Sequence, residues 1–531
     1  MIDLLIKNAK VADGSGKEPY NADIAVEGGK IVSIAADIKA DAAVKIDAQN
    51  RNVTPGFIDV HRHEDIVVFD ESYGEVQLRQ GITSTISGNC GLSIAPLPKK
   101  YRKDILNYLK PIMGLLDEDK DFEMFSDYMR TLENIKLPLN FGMHAGADTI
   151  HLAVKGFSDE KLNRDEISEF HRYLQDALES GAFGVSLGIA YMPEILYSIE
   201  DFAQVLAPLH SKDIPLVTHM RGEGNLLYDA VKEVIEIAQK LNIPLHISHY
   251  KCLGKKNWGH LLEKTTLLIE KARSSGTKVT IDVYPWTAGA SQLAQILPIE
   301  FLEGGLAKTA ERLKDKEMRQ KCKEILSSPQ KDFENQIDLI GWENIMITSA
   351  QKEKNKNFIG KRMSEIAQET GKDPFDAAFD LLSEEDCNVS MVNFIASKED
   401  IDTILKYPYS IIISDSIYPS SGMPHPRRYG TYPLILSEFV RDRKVLSLPL
   451  AVHKMTKAPA DIFNIKNKGL IKEGYDADIV IFDLNKIKNN ADYMKPASFG
   501  EGFDYVIAGG QIAVKDDVFL KTKTGKVLKR K

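Results

Sequence analysis

Seven short apolar runs recur between residues 56 and 284, at 56–61, 83–87, 137–143, 182–187, 214–218, 244–248 and 278–284, with room for a helix between most neighbours. In the stretch 227–241, Leu227, Val231, Val234, Ile235, Ala238 and Leu241 fall at helical spacing, with Lys232, Glu233 and Glu236 on the other side. Strand, amphipathic helix, strand is a βαβ unit, and repeated units of this kind imply a parallel sheet. After residue 284 the regularity weakens. A charged helix is predicted near 309–326, short apolar runs lie near 344–349 and 390–395, and a strong strand returns at 409–414. Seven strands, an insertion at about 285–409 and an eighth strand fit an α/β fold of the (β/α)₈ barrel type, the insertion being long enough to form a lid. An open doubly wound sheet is the alternative. No Gly-rich dinucleotide turn follows any of the strands, which removes the commonest reason for that fold.

The two ends read differently. Residues 1–50 and the last 75 carry short strands between turn signals such as Asp13-Gly14, Gly28-Gly29 and Gly509-Gly510, and so suggest one small β-rich unit drawn from both termini. At 531 residues with a net charge of −8, the chain has no excess positive charge for nucleic acid or anionic lipid. The basic tail (Lys521, Lys523, Lys526, Lys529, Arg530, Lys531) reads as a solvated end. Four cysteines without a C-x-x-C pair give no disulfide framework, and the early Asp3 and Lys7 interrupt any signal-peptide core. A cytoplasmic enzyme acting on a small molecule, with neither nucleic acid nor membrane as partner, is the expectation.

Histidines mark the chemistry. His61 and His63 stand two apart at the end of the first strand, so their side chains share a face and can approach one metal ion. His219 and His249 each end an apolar strand, 30 positions apart, about one βαβ repeat. Consecutive strand ends of a parallel barrel lie side by side on its C-terminal face, where barrel active sites sit. Cys90, between glycines just past the second strand, falls on the same face, and a thiolate with two imidazoles is a normal zinc shell. Cys252 is a competing thiol that packing also explains. Asp415, which follows the strand 409–414, can bind metal or serve as the general base. The loop reading of 416–430 adds Ser420, Ser421, His425, Arg427, Arg428 and Tyr429.

These residues resemble a known family. Gly-Phe-Ile-Asp-Val-His-Arg-His-Glu-Asp (56–65) looks like the first-strand motif of the amidohydrolase superfamily. Ser-Gly-Asn-Cys-Gly (87–91), Thr-His-Met-Arg-Gly-Glu-Gly (218–224), Ile-Ser-His-Tyr-Lys (247–251), Asp-Val-Tyr-Pro-Trp (282–286) and His-Pro-Arg-Arg-Tyr-Gly-Thr-Tyr-Pro (425–433) look like its N-acyl-D-amino-acid deacylase branch. The resemblance spans essentially the whole chain. It implies a distorted barrel over 55–440, and a small β-sandwich built from 1–54 and from 441–531, the latter stretch also carrying a last barrel helix. It implies Zn²⁺ held tightly by Cys90, His219 and His249, a second, weaker site at His61 and His63, and Asp415 as the residue that activates water and protonates the leaving nitrogen. Lys251, Arg427, Tyr191 and Tyr284 would contact the substrate, the cations on its carboxylate.

The chain departs from the family on the substrate side. The Gly-His and Arg near the third strand are replaced in Gly146-Ala147-Asp148-Thr149-Ile150-His151. His144 lies nearby in a different register. Leu434 stands where relatives often have Arg, and the small hydroxyl residues after Tyr-Pro are partly lost in Gly289-Ala290-Ser291. Two other readings compete. A cyclic amidase of the dihydropyrimidinase or dihydroorotase kind needs a bridging Lys on a central strand. None lies in 182–187, and Lys155 reads as an exposed residue after a strand. A scaffold without activity has no physical need for His61, His63, Cys90, His219, His249 and Asp415 together.

Overall fold

A computed structural model of the chain describes residues 1–328, 333–419 and 421–531, so Ser420 lies outside the described residues. Eight strands make the barrel: β1 (Phe57–Asp59), β2 (Ile82–Ser87), β3 in two pieces (Asn140–Met143 and Ala145–Gly146), β4 (Val185–Gly188), β5 (Leu216–His219), β6 (Leu245–Ile247), β7 (Val279–Val283) and β8 (Ser410–Ile412). Each overlaps one of the apolar runs, and successive strands pair in parallel. All six residues of β2 are buried, as a strand covered on both faces requires. The break in β3 at His144 divides the barrel into sheets of three and six strands. The circle closes beyond the ends of β1 and β8: Asp415 N donates to His61 O at 3.0 Å and His63 N to Ser416 O at 2.9 Å. This closure sets Asp415 beside both histidines of the first motif.

The helix between β5 and β6, Leu227–Leu241, buries the predicted apolar face against the barrel and ends on Asn242 in the left-handed region. The insertion folds around a three-stranded antiparallel sheet in which Ser390–Phe394 lies between Ala288–Gln292 and Ile345–Ser349. The single helix predicted near 309–326 is two, Leu306–Arg312 and Lys316–Leu326, because Asp315 accepts from Glu317 N and Met318 N and starts a new one. Lys155 does not follow a strand: it ends the helix Ala147–Lys155 and pairs with Glu166 at 3.0 Å.

The two chain ends meet. Asn52–Pro55 pairs antiparallel with Ile479–Phe482, joining strands from both termini in a nine-stranded sheet of the small β-sandwich. Leu4, Ile6, Ile24, Val53, Ile479 and Ile507 share its core. The basic tail is not a free solvated end. Its lysine side chains reach water, but Phe141 N donates to Lys526 O, Leu528 N to Phe141 O and Arg530 N to Gly181 O, so its backbone covers the N-terminal end of the barrel. The backbone groups at that rim need partners, and the tail supplies them. Among the described residues no helix is long and apolar enough to cross a membrane.

Candidate metal centre and active site

β1 runs out into His61-Arg62-His63. His61 and His63 face the metal-donor cluster, and Arg62 points the other way. There its guanidinium donates to Asp59 (2.9 Å), Glu64 (2.7 Å), Ser414 Oγ (2.9 Å) and Tyr418 OH (2.6 Å), using the planar fork of donors that arginine offers. β2 leads into the Cys90 loop. Gly88 has φ +77°, and a Cβ there would stand 2.3 Å from His144 O, so glycine is required. The Asp65 carboxylate accepts from Ser87 Oγ and from Ile94 N (3.1 Å), tying the two ends of this loop together. β5 ends on His219, and His249 follows β6 by two residues.

The donor atoms converge. Cys90 Sγ lies 3.3 Å from His61 Nε2 and 3.5 Å from His249 Nε2, and His219 Nδ1 lies 2.8 Å from His249 Nε2. Three sets each offer ligand atoms within 4.8 Å of one another: Cys90, His219 and His249; His61, His63 and Cys90; and His61, His249 and Asp415. Two donors on a tetrahedral zinc ion stand about 3.3–3.6 Å apart, given Zn–N and Zn–S distances of about 2.0–2.3 Å. The Cys90 spacings fit this value, and His219 and His249 need to part slightly. Thiolate, imidazole and carboxylate are zinc donors, so the residues present suit that ion.

Charge supports the same conclusion. Burial opposes ionisation of the Cys90 thiol, but His61 and His249 beside it hold it well below its ordinary pKa. Burial likewise works against the Asp415 carboxylate, yet the Arg427 guanidinium at 2.9 Å, and then His61, hold it well below the usual range. Burial disfavours the His61 cation, and Cys90, Asp282 and Asp415 override it to raise that imidazole well above its ordinary value. The centre is rich in anions around imidazoles, a field that a divalent cation balances. Cys90 (φ 55°), His249 (φ 34°) and Asp415 (φ 51°) all occupy the left-handed region without being glycine, a strain that clusters at functional sites.

The substrate-side candidates line one cavity over these donors: Tyr191, Lys251, Tyr284 and Arg427. Tyr191 OH is 3.2 Å from His219 Nδ1. Lys251 Nζ and Arg427 Cζ stand 5.8 Å and 4.9 Å from the Tyr284 ring centroid, so two cations converge beside one ring. Cys252 is outside the cluster. Its Sγ donates to Asn257 O at 3.2 Å, and burial pushes its thiol up to about 12. Residues 416–430 are not wholly loop, because a helix, Arg427–Leu434, begins at Arg427. Of Ser421, His425, Arg427, Arg428 and Tyr429, Arg427 lines the cavity. His425 instead braces it, taking a hydrogen bond from Arg427 N at 3.0 Å. His144 is buried, with its ring 5.1 Å from that of Phe463, and belongs to none of the three donor sets.

Sequence reasoning missed the residues that hold the donors in place. Asp282, on β7, has Oδ2 3.2 Å from His61 Nδ1 and 3.0 Å from His246 Nε2, while Oδ1 accepts from the strained His249 N. Glu223 Oε1 is 2.9 Å from His249 Nδ1 and 2.6 Å from Lys251 Nζ. Both belong to motifs visible in the chain (282–286 and 218–224), so motif membership was the signal that could have found them. Carboxylates behind metal-binding imidazoles fix tautomer and ring orientation.

A barrel whose strand ends present this donor set defines the class of metal-dependent amidohydrolases. The profile described as the amidohydrolase family matches residues 397–514. A D-aminoacylase of Alcaligenes xylosoxydans xylosoxydans is 29% identical, over 99% of this chain and 98% of its own. The crystal structure of N-acyl-D-glutamate deacylase from Bordetella bronchiseptica, complexed with zinc and a phosphonate mimic of the tetrahedral intermediate, superposes with a TM-score of 0.83 at 25% identity, covering 99% of both chains. A D-aminoacylase structure concerned with one-metal activation and second-metal attenuation at its binuclear centre gives 0.82 at 29% identity over 100% of both. Along its whole length the chain is similar to D-aminoacylases and N-acyl-D-amino-acid deacylases of the amidohydrolase superfamily.

Proposed function

We propose that the chain is a zinc-dependent deacylase that hydrolyses an N-acyl-D-amino acid to a carboxylate and the free D-amino acid. The observation that carries this reading is the donor set Cys90, His219 and His249, with Asp415 beside it and two cations, Lys251 and Arg427, on the same cavity. Cys90, His219 and His249 would hold the tight zinc, and His61 and His63 would complete a second, weaker site. Bound zinc supplies Lewis acidity, polarising an amide carbonyl and making water a stronger acid.

The protein groups divide the rest of the work. Arg427 holds Asp415 Oδ2, which leaves Oδ1 as the basic oxygen on the donor side. As water adds to the amide carbon, Oδ1 accepts its proton. As the C–N bond breaks, Asp415 returns that proton to the leaving nitrogen, so the carboxylate is regenerated. Lys251 and Arg427 bind the substrate carboxylate beside Tyr284, and Tyr191 reaches the acyl end from His219. The Cys90 thiolate and the lack of a lysine on β4 favour this reading over a cyclic amidase. Four buried free cysteines among the described residues, one of them needed as thiolate, suit a reducing, cytoplasmic setting. The test is release of free amino acid from N-acetyl and N-formyl derivatives of D- and L-amino acids by zinc-loaded protein. Turnover of D substrates above their L enantiomers is expected. No turnover of any of them, with zinc confirmed bound, would contradict the proposal.

A further inference from the structure

Part of the cavity wall comes from the insertion. Ala288–Gln292 and Ser390–Phe394 pair antiparallel with Gly289 directly opposite Asn393. Cross-strand partners share a face, so the Asn393 side chain stands over a residue that has none. A Cβ on Gly289 would stand 2.9 Å from Asn393 Oδ1, 3.0 Å from Ile395 Cδ1 and 3.4 Å from Tyr284 OH. Asn393 is 5% exposed. Its Nδ2 donates to Gln336 Oε1 at 3.0 Å, and its buried Oδ1 has no partner. Two carboxamides joined by one hydrogen bond leave one acceptor and one NH₂ unused, whichever of the two is the donor. That is the complement of a third carboxamide. A buried amide oxygen left without a donor is costly, which makes this corner a place where a ligand N–H gains.

The charges of the cavity point the same way. Among its described lining residues each Lys or Arg is already engaged: Arg221 by Glu233 at 2.8 Å, Lys251 by Glu223 at 2.6 Å and Arg427 by Asp415 at 2.9 Å. The last two face the substrate's own carboxylate. No cation among these residues remains for a second one, and Ser291, Gln292 and Gln295 extend the neutral polar wall. We propose that Gly289, Asn393 and Gln336 form a subsite for a neutral carboxamide on the substrate, whose N–H donates to one amide and whose carbonyl accepts from the other. This rests on the deacylase reading and narrows its substrate class to N-acyl-D-amino acids that carry an amide, in place of an acidic or wholly apolar group. The amide has two sources, a D-glutamine or D-asparagine side chain, or a second amide within the acyl group.

The experiment compares kcat/KM for matched pairs on zinc-loaded protein. N-acetyl-D-glutamine against N-acetyl-D-methionine tests the side-chain source, and N-(N-acetylglycyl)-D-alanine against N-pentanoyl-D-alanine tests the acyl source. The amide member of one pair is expected to exceed its partner by about tenfold or more, as for a site built to hydrogen-bond its substrate. That ratio should fall toward 1 in Asn393→Leu and also in Gly289→Ala, whose methyl would stand 2.9 Å from Asn393 Oδ1 and 3.0 Å from the Ile395 side chain. Ratios near 1 for both pairs in the unaltered protein, with the apolar members still hydrolysed, overturn the subsite and leave the deacylase reading standing. Absence of turnover on every substrate overturns the deacylase reading, and the subsite with it.

Discussion

Asp282→Asn tests how the centre is held. The carboxylate of Asp282 takes hydrogen bonds from His61, His246 and the His249 backbone, so it serves both candidate metal positions from beneath. With its Nδ1 donating to Asp282, His61 presents Nε2 to Cys90 and Asp415. Asparagine has the same shape but replaces one acceptor oxygen by a donor. If the amide nitrogen faces His61 and His246, two N–H groups meet a third. If it faces His249, the clamp on a strained peptide is lost. Losing one charge-assisted buried hydrogen bond costs about 1.5–3 kcal/mol. A carboxylate behind a metal-binding imidazole is worth about 10- to 100-fold in metal affinity, or about 1.4–2.7 kcal/mol, so the two magnitudes agree. Zinc dissociation constants measured by competition with a chromogenic chelator should therefore rise about 10- to 100-fold, with the circular dichroism spectrum unchanged. An affinity within about twofold of the unaltered protein would refute this role for Asp282.

Other consequences follow from the same geometry. Cys90→Ala should abolish turnover and lower the zinc content found by elemental analysis, whereas Asp415→Ala should cut kcat by about 10²–10⁴-fold while zinc stays bound. Retained activity in either variant contradicts the part assigned to that residue. Lys454 is buried at the foot of the barrel, donating to Tyr407 O (2.6 Å), Ser410 O (2.8 Å) and Ser410 Oγ (2.9 Å), and burial pulls its pKa from 10.5 down to about 8. The folded state then binds fewer protons than the unfolded state between about pH 8 and 10.5, so stability should rise with pH across that window. Across that window the denaturation midpoint of the unaltered protein should gain on that of Lys454→Met as pH rises. Equal slopes would contradict the assignment.

The barrel and the donors were legible in the sequence because both are local signals. An apolar run that ends on a histidine reads as a strand presenting a ligand, and β1, β5 and β6 each do this. The clamp was not legible, because Asp282 and His61 are 221 positions apart and an acid inside an apolar run says nothing about its partner. The same limit applies to the insertion, where the meaning of Gly289 depends on Asn393 lying across from it. The tail departs from expectation for the opposite reason. Its lysines do face water, and composition cannot show that the backbone beneath them completes the hydrogen bonds of the barrel rim. A single helix near 309–326 is the sequence expectation because charge pattern and propensity run through Asp315, whose side chain instead caps a new start.

The most direct test of the central claim is a zinc titration of chelator-stripped protein, following hydrolysis of an N-acetyl-D-amino acid. The proposed sharing of one ion by Cys90, His219 and His249 predicts no turnover without metal and a rise that is complete near one equivalent of zinc. Turnover by the metal-free protein, or none at any zinc loading across the substrate panel, would contradict it.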